Sequence, residues 1–498
     1  MKQTSFSPIC DTCASEMDQL ILANDYDTLA SYVMQQEEKY AENNDLEYAP
    51  MFFYIGTGNS TLAHHYHRSA SSDEQGLSIV YRKKALFYFR KAISLLESSD
   101  DTPAILLPIY TNYANDLYSC GRVIEALRIY RKALSITDSF GMATANYGRA
   151  LGFYADMVND PGHYQELHCH AYQAIKKALE IKDANMHAEA VAVFEKQIED
   201  YEKRFNHNTL FAPIIYPEYD LGAYDEKAYR SWCLHNHLFL NPLNDLMVPE
   251  AAFAHDPLTI TQYTEYVHRD GVDEKSSGNP PKWFAMLNQL KEEYIYARFL
   301  CYEGTEKMAE THYADRDVLL SLANYDYVNY SIRLEQLKSA FRISYSLFDQ
   351  IAFMINEFWS LGLSERQADA YHVFDCKHYP TDNIALTALF WAFNEFKEEY
   401  IEGAGASEKK LKTLRHALEH KFVQVHEYPH PNELHIMDDR FYHISESNLK
   451  EHTLRILTLA REWIIELVYA IAIEERKNQD KENAIHLYIA DYDDQWKL

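Results

Sequence analysis

Residues Leu411 to Phe422 read LKTLRHALEHKF, and two residue types in this stretch do chemistry near neutral pH. Arginine keeps its charge, and its planar fork matches the oxygens of a phosphate. Histidine takes up and releases a proton near neutrality, which suits it to acid–base work. Arg415 and His420 stand five positions apart, about 140° around a helix of 3.6 residues per turn. One helix therefore struggles to aim both at one small target, whereas two copies related by a twofold axis would form one composite cleft with an Arg and a His from each. The same letters contain a rival. His416-Ala417-Leu418-Glu419-His420 is H-x-x-E-H, the inverted zinc-protease motif, in which two histidines one turn apart share a metal. Arg415 beside them would repel a divalent cation. Elsewhere Cys10-x-x-Cys13 lacks a second pair, and His64, His65 and His67 lack a carboxylate or cysteine at ligand spacing. GTGNST from Gly56 lacks the G-K-[ST] that would meet a phosphate. No metal and no other cofactor is expected.

The surroundings of the pair are basic. From Glu408 to Lys421 the five residues Lys409, Lys410, Lys412, Arg415 and Lys421 face the two acids Glu408 and Glu419, a local +3. The chain of 498 residues carries a formal −28, which argues against a protein that coats nucleic acid by charge along its length. A nucleic-acid site would be a local basic pocket, with Lys409, Lys410, Lys412 and Lys421 as its contacts. The seven cysteines are scattered and odd in number, which reads as reduced thiols in the cytoplasm. The start, MKQTSFSPICDTC, has no apolar core of a signal peptide. The longest apolar stretch, Trp463 to Ile473, is broken by Glu466 and falls short of the ~18 residues a membrane helix needs. No membrane association is expected.

The elements that must position this stretch are helices. Gly and Pro number only 15 each, which favours long helices and few turns. The motif helix starts near Ser407 as N-cap and buries Leu411, Leu414, Leu418 and Phe422 as one stripe. The longest helix is expected over Ser331 to Gly362, with Leu334, Leu337, Phe341, Tyr345, Phe348 and Ala352 as its apolar positions. It carries Asp349 and Asn356, seven apart and so on one face, as auxiliary candidates, with Glu357 beside them. Further helices are expected over Phe284 to Glu303, Asp382 to Glu402 and Asn448 to Lys477, the last reached through a polar loop, EYPHPNELHIMDDR. Together they make a bundle over 282–480, followed by an acidic tail over 481–498. Residues 206–281, with clustered prolines and DGVDEKSSGNPP, read as a connector with short helices and a loop. Residues 1–205 carry repeats. Ala85/Phe89/Ala92, Ala126/Tyr130/Ala133 and Ala171/Ile175/Ala178 recur with the small–bulky–small spacing of a TPR second helix, and Gly121 supplies a turn. Ala190/Phe194 opens a capping helix with a polar outer face. AHHYHRSASSDEQG, from Ala63, is expected as a loop. The fold class is all-α.

The C-terminal part resembles the HEPN superfamily. An arginine, four to six residues and a histidine on a helix of an all-α domain is the signature of that group. The resemblance extends over about the last 260 residues, to a prokaryotic subfamily preceded by TPR-like repeats. It is carried by AYRSWCLHNHLFLNPLNDL from Ala228, NQLKEEYIYARFLCYEG from Asn288 and LKSAFRISYSLFDQIAFMINEFWSLG from Leu337. The resemblance implies a metal-independent ribonuclease active as a dimer. Arg415 would bind and stabilise the scissile phosphate, and His420 would act as acid or base, leaving 2′,3′-cyclic phosphate and 5′-hydroxyl ends. His416, where the family usually has another polar residue, would be auxiliary. The implied partners are an RNA substrate (tRNA and mRNA both open), a second copy through the bundle, and a protein or peptide on the TPR-like array. The implied role is a toxin or abortive-infection effector in bacterial anti-phage defence. Two other readings stay open: an inactive HEPN/TPR scaffold that dimerises and binds, and a zinc-dependent hydrolase built on His416 and His420.

Overall fold

The computed structural model describes residues 6–68, 72–97, 104–181, 186–206, 210, 215–216, 218–260, 263–265, 280–307, 311–320, 328–397, 407–427, 440–479 and 484–486. The chain is all-α, with two small sheets among its helices. It divides into two compact units. The first comprises Met1–Asp156, Tyr164–Ile214 and Asn394–Lys410, and the second Met157–His163, Ile215–Phe393 and Leu411–Leu498.

The first unit is built of consecutive helices: α1 (Pro8–Ala23), α2 (Tyr26–Tyr40), α3 (Ala49–His67), α4 (Ser72–Glu97), α5 (Leu106–Ser119), α6 (Val123–Ile136), α7 (Gly141–Met157), α8 (Pro161–Glu180) and α9 (Ala188–Arg204). Helix α3 packs on α4, and α5 on α6. The turn between α5 and α6 needs a left-handed residue, and Gly121 supplies it at φ 80°. The small–bulky–small positions Ala85/Phe89/Ala92, Ala126/Tyr130/Ala133 and Ala171/Ile175/Ala178 are all buried. Helices approach closely at these points. A Cβ on Gly148 would come within 2.8 Å of the Ala171 carbonyl oxygen. Phe194 of α9 closes this core against Ala145, Ile175 and Ala178. Its neighbours Glu195, Lys196, Glu199 and Asp200 face solvent.

The structure differs from the sequence expectation at Ala63. There is no loop before Arg68, because α3 continues through the three histidines to His67. Leu62 and Ala63 are fully buried, the Ser78 hydroxyl donates to the Ala63 carbonyl at 2.8 Å, and His65 stacks on Tyr26 at 3.8 Å. GTGNST also lies inside α3.

In the second unit, α11 (Pro280–Glu306), α12 (Ile332–Phe358) and α16 (Glu446–Gln479) pack mutually. Ser331 caps α12 by accepting from the Leu334 N–H. Leu337, Phe341, Phe348, Ile351 and Ala352 are buried along it, and Phe348 meets Trp463 at 4.4 Å. The longest helix described is α16, with 34 residues. Helix α12 stops at Phe358, short of Gly362, because Asn356 brackets Leu363 with two hydrogen bonds and Ser360 turns left-handed. From Ile215 onward the segment read as a connector belongs to this unit. It contains α10 (Tyr224–His235) and is knit in by buried guanidinium groups. Arg461 grips Asp245 at 2.8 and 3.0 Å and the carbonyls of Phe239 and Asn241, while Arg298 grips Asp256 at 2.9 and 2.8 Å.

Helix α13 (Ala370–Phe374) and α14 (Ile384–Asn394) follow. The helix expected over Asp382 to Glu402 ends at Asn394. Glu395 turns out of it to pair with Arg90 at 2.7 Å and Arg122 at 2.6 Å, within the first unit. Beyond α15 (Ser407–His420) a strand stands on either side of the expected polar loop, of which 428–439 lie outside the described residues. β3 (Phe422–His426) runs parallel to β4 (Phe441–Ser445), Phe422 opposite Phe441, and antiparallel to β2 (Val328–Asn329). A second pair joins β1 (Tyr263–Glu265) to β5 (Ala484–His486). DGVDEKSSGNPP, up to its two prolines, and Asp491–Asp494 of the acidic tail lie outside the described residues.

Candidate active site

Helix α15 presents the chemistry by burying its opposite face. Leu411, Leu414, Ala417 and Leu418 are buried, while Arg415, His416, Glu419 and His420 are exposed. Phe422 does not complete the stripe. It begins β3, donates its N–H to the Arg440 carbonyl at 2.9 Å, and is 71 % exposed. Ala417 takes the inward place, because the helix ends at His420 before another turn can form.

Two cations of α15 lie over tyrosine rings. The Arg415 guanidinium sits 5.5 Å from the Tyr345 ring of α12, and the Lys412 ammonium 5.1 Å from the Tyr371 ring of α13. Such contacts hold a cation over a ring without using its hydrogen-bond donors. Tyr345 hydrogen-bonds Tyr371, and its hydroxyl is pushed well above the ordinary phenol range by burial first and then by Tyr371. Asp349, one turn further along α12, accepts the Ala370 N–H at 3.1 Å and so fixes the start of α13. Burial raises its carboxyl pKa above 3.8, and Asp369 adds to the rise against the Ala370 hydrogen bond and the charge of Arg415. Arg342, also on α12, donates to the Leu418 carbonyl at 2.9 Å and lies 4.0 Å from Glu419. It thereby caps the last turn of α15, the turn that bears His420.

His416 and His420 are neighbours, with ring centroids 4.9 Å apart. Among the described residues no group of three or more His, Cys, Asp or Glu side chains stands close enough to hold a metal ion. The one acid of H-x-x-E-H, Glu419, faces Arg342.

The structure gathers Arg415, His416, His420, Lys412 and Asp349 around α15. Lys410 is exposed on the same helix and Lys421 half-buried at its end. The side chain of Lys409 lies outside the described residues. Asn356 does not join the group, since both its amide ends serve Leu363, and Glu357 pairs with Lys282 at 2.5 Å. Sequence reasoning missed Tyr345 as a site residue and did not single out Tyr371 or Arg342. Tyr345 was legible only as one more apolar position of its helix.

An exposed Arg and His on one helix of a helical bundle agree with the arrangement that the HEPN resemblance implies. Residues 274–474 match the LA2681-like HEPN family, so the chain carries an LA2681-like HEPN domain that contains every site residue named above. No curated protein and no solved structure matches the chain.

Proposed function

We propose that the protein is a metal-independent endoribonuclease of the HEPN type, acting as a toxin or abortive-infection effector in bacterial anti-phage defence. The HEPN domain supports ribonuclease or nucleotide-binding activity as the class. One observation carries the finer reading. Arg415, His416 and His420 stand exposed on one helix, and among the described residues they make ring contacts but no hydrogen bond.

The reaction follows from those groups. One imidazole takes the 2′-hydroxyl proton as the 2′-oxygen attacks phosphorus. The P–O5′ bond breaks, and the departing 5′-oxygen receives a proton from a protonated imidazole. The products are a 2′,3′-cyclic phosphate and a 5′-hydroxyl. Arg415 neutralises the phosphorane through its fork. Proton donor and acceptor come from the His420 residues of two copies meeting in one cleft, with His416 as auxiliary. Lys410, Lys412 and Lys421 attract the RNA backbone, and the helix array of the first unit binds a protein or peptide partner that restrains or releases the nuclease.

Expression in a bacterial host tests the reading. Wild type should arrest growth with fragmentation of cellular RNA, and the Arg415→Ala/His420→Ala variant should do neither at equal protein level. Equal toxicity of the two would overturn it, and a protein that binds RNA without cutting it would move the assignment to the scaffold reading.

A further inference from the structure

Phe422 and Phe441 form an exposed aromatic pair two residues beyond His420. They are register partners on the parallel strands β3 and β4, with ring centroids 5.8 Å apart and planes 36° to one another. Phe422 is 71 % exposed and Phe441 half-buried. Each ring is preceded in the chain by a cation, Lys421 before Phe422 and Arg440 before Phe441. Because the strands run parallel, Lys421 and Arg440 stand at the same end of the strand pair, the end joined to α15. The two segments are tied there by the hydrogen bond from the Phe422 N–H to the Arg440 carbonyl.

An exposed aromatic face bordered by cations is what single-stranded nucleic acid uses. Bases stack on rings while cations follow the phosphates, and every base offers a π-face. A base in a duplex is already stacked and has no face to give. We propose that Phe422 and Phe441 form a stacking subsite for an unpaired base next to the scissile phosphate, with Lys421 at the flanking backbone. The inference rests on the ribonuclease reading and deepens it: the substrate is RNA that is single-stranded at the cut. An apolar pair could instead be covered by a second copy. Lys421 argues for RNA, since a second copy would bring the same cation against it.

The test uses the full chain and a short RNA with a 2′-deoxy residue at the cleavage position, so that binding is read without cleavage. Fluorescence anisotropy should show Phe422→Ala binding roughly tenfold more weakly, the scale of one lost stacking partner. Phe422→Tyr should bind as wild type. An oligonucleotide abasic next to the cleavage position should bind wild type and Phe422→Ala alike. Phe422 is largely exposed, so the variants should melt as wild type does. Phe422→Ala that binds the intact RNA as tightly as wild type overturns the subsite and leaves the ribonuclease reading standing. Phe422→Ala that becomes monomeric while Phe422→Leu retains both dimer and RNA affinity assigns the pair to the second copy. Wild type that binds no RNA fails the ribonuclease reading and the subsite together.

Discussion

Among the described residues Arg415 rests over a ring and forms no ion pair with a carboxylate, and that bears on what it can do. A guanidinium locked in an ion pair would have to break it before meeting phosphate, whereas one resting 5.5 Å over Tyr345 keeps its donors. Arg415→Lys should therefore recover only part of the activity that Arg415→Ala loses, because a point charge cannot replace the two-pronged contact. Steady-state rates on one RNA would show full recovery if charge alone sufficed. Asp349 gives a pH prediction. Its folded-state pKa is raised above 3.8, so its contribution to stability is full below the unfolded pKa and is lost as pH rises through the folded one. Asp349→Asn keeps an oxygen for the Ala370 N–H and removes that loss. The variant should melt with wild type at acid pH and above it at neutral pH. A lower melting temperature at neutral pH would mean that the attraction to Arg415 outweighs burial. At this scale Arg415 and His420 were legible because type and spacing are printed in the sequence. Tyr345 was not, since an aromatic at the edge of an apolar stripe looks the same whether it turns inward or beneath a cation.

At the scale of elements, buried guanidinium groups do the tying. Arg461 and Asp245 are almost wholly buried and meet in a two-pronged pair. Arg461→Ala would leave a buried carboxylate unpaired and should destabilise the chain by about 3–5 kcal/mol in denaturant titration. A loss below about 1 kcal/mol would show that water reaches Asp245. The helices were legible from their period and from scarce Gly and Pro, but their ends were not. The stop of α14 at Asn394 is fixed by the turn to Glu395, whose partners Arg90 and Arg122 lie far upstream in sequence. FVQVH alternates as a strand does, yet Phe422 sits four residues after Leu418 and so mimics the next step of a helical stripe. The helical His64, His65 and His67 read as a loop because polarity was taken for irregularity, while Leu62 and Ala63 just before them anchor the turn.

At the scale of the whole molecule the account requires two copies. Arg415 and His420 diverge by about 140° around α15, so in the proposed reaction one chain would present half of the catalytic set to a phosphate. Sedimentation of the full chain should give a dimer, and RNA cleavage should persist in EDTA. A strictly monomeric chain that still cleaves RNA would contradict the composite cleft, and activity lost to EDTA and restored by zinc would return the His416/His420 pair to metal chemistry. Among the described residues no helix is long and apolar enough to cross a membrane. The helical character of both units was legible from periodicity. The passage of the chain back into the first unit over Asn394–Lys410 was not, since it rests on tertiary pairing.

The measurement that bears most directly on the central claim is the single-turnover cleavage of a defined RNA by purified wild type and His420→Ala, with the product ends identified and binding measured in parallel. Wild type should leave 2′,3′-cyclic phosphate and 5′-hydroxyl ends. His420→Ala should cut roughly 10²–10⁴-fold more slowly, the scale of one lost acid or base, while keeping most of the affinity. Cleavage by His420→Ala at the wild-type rate would contradict the account.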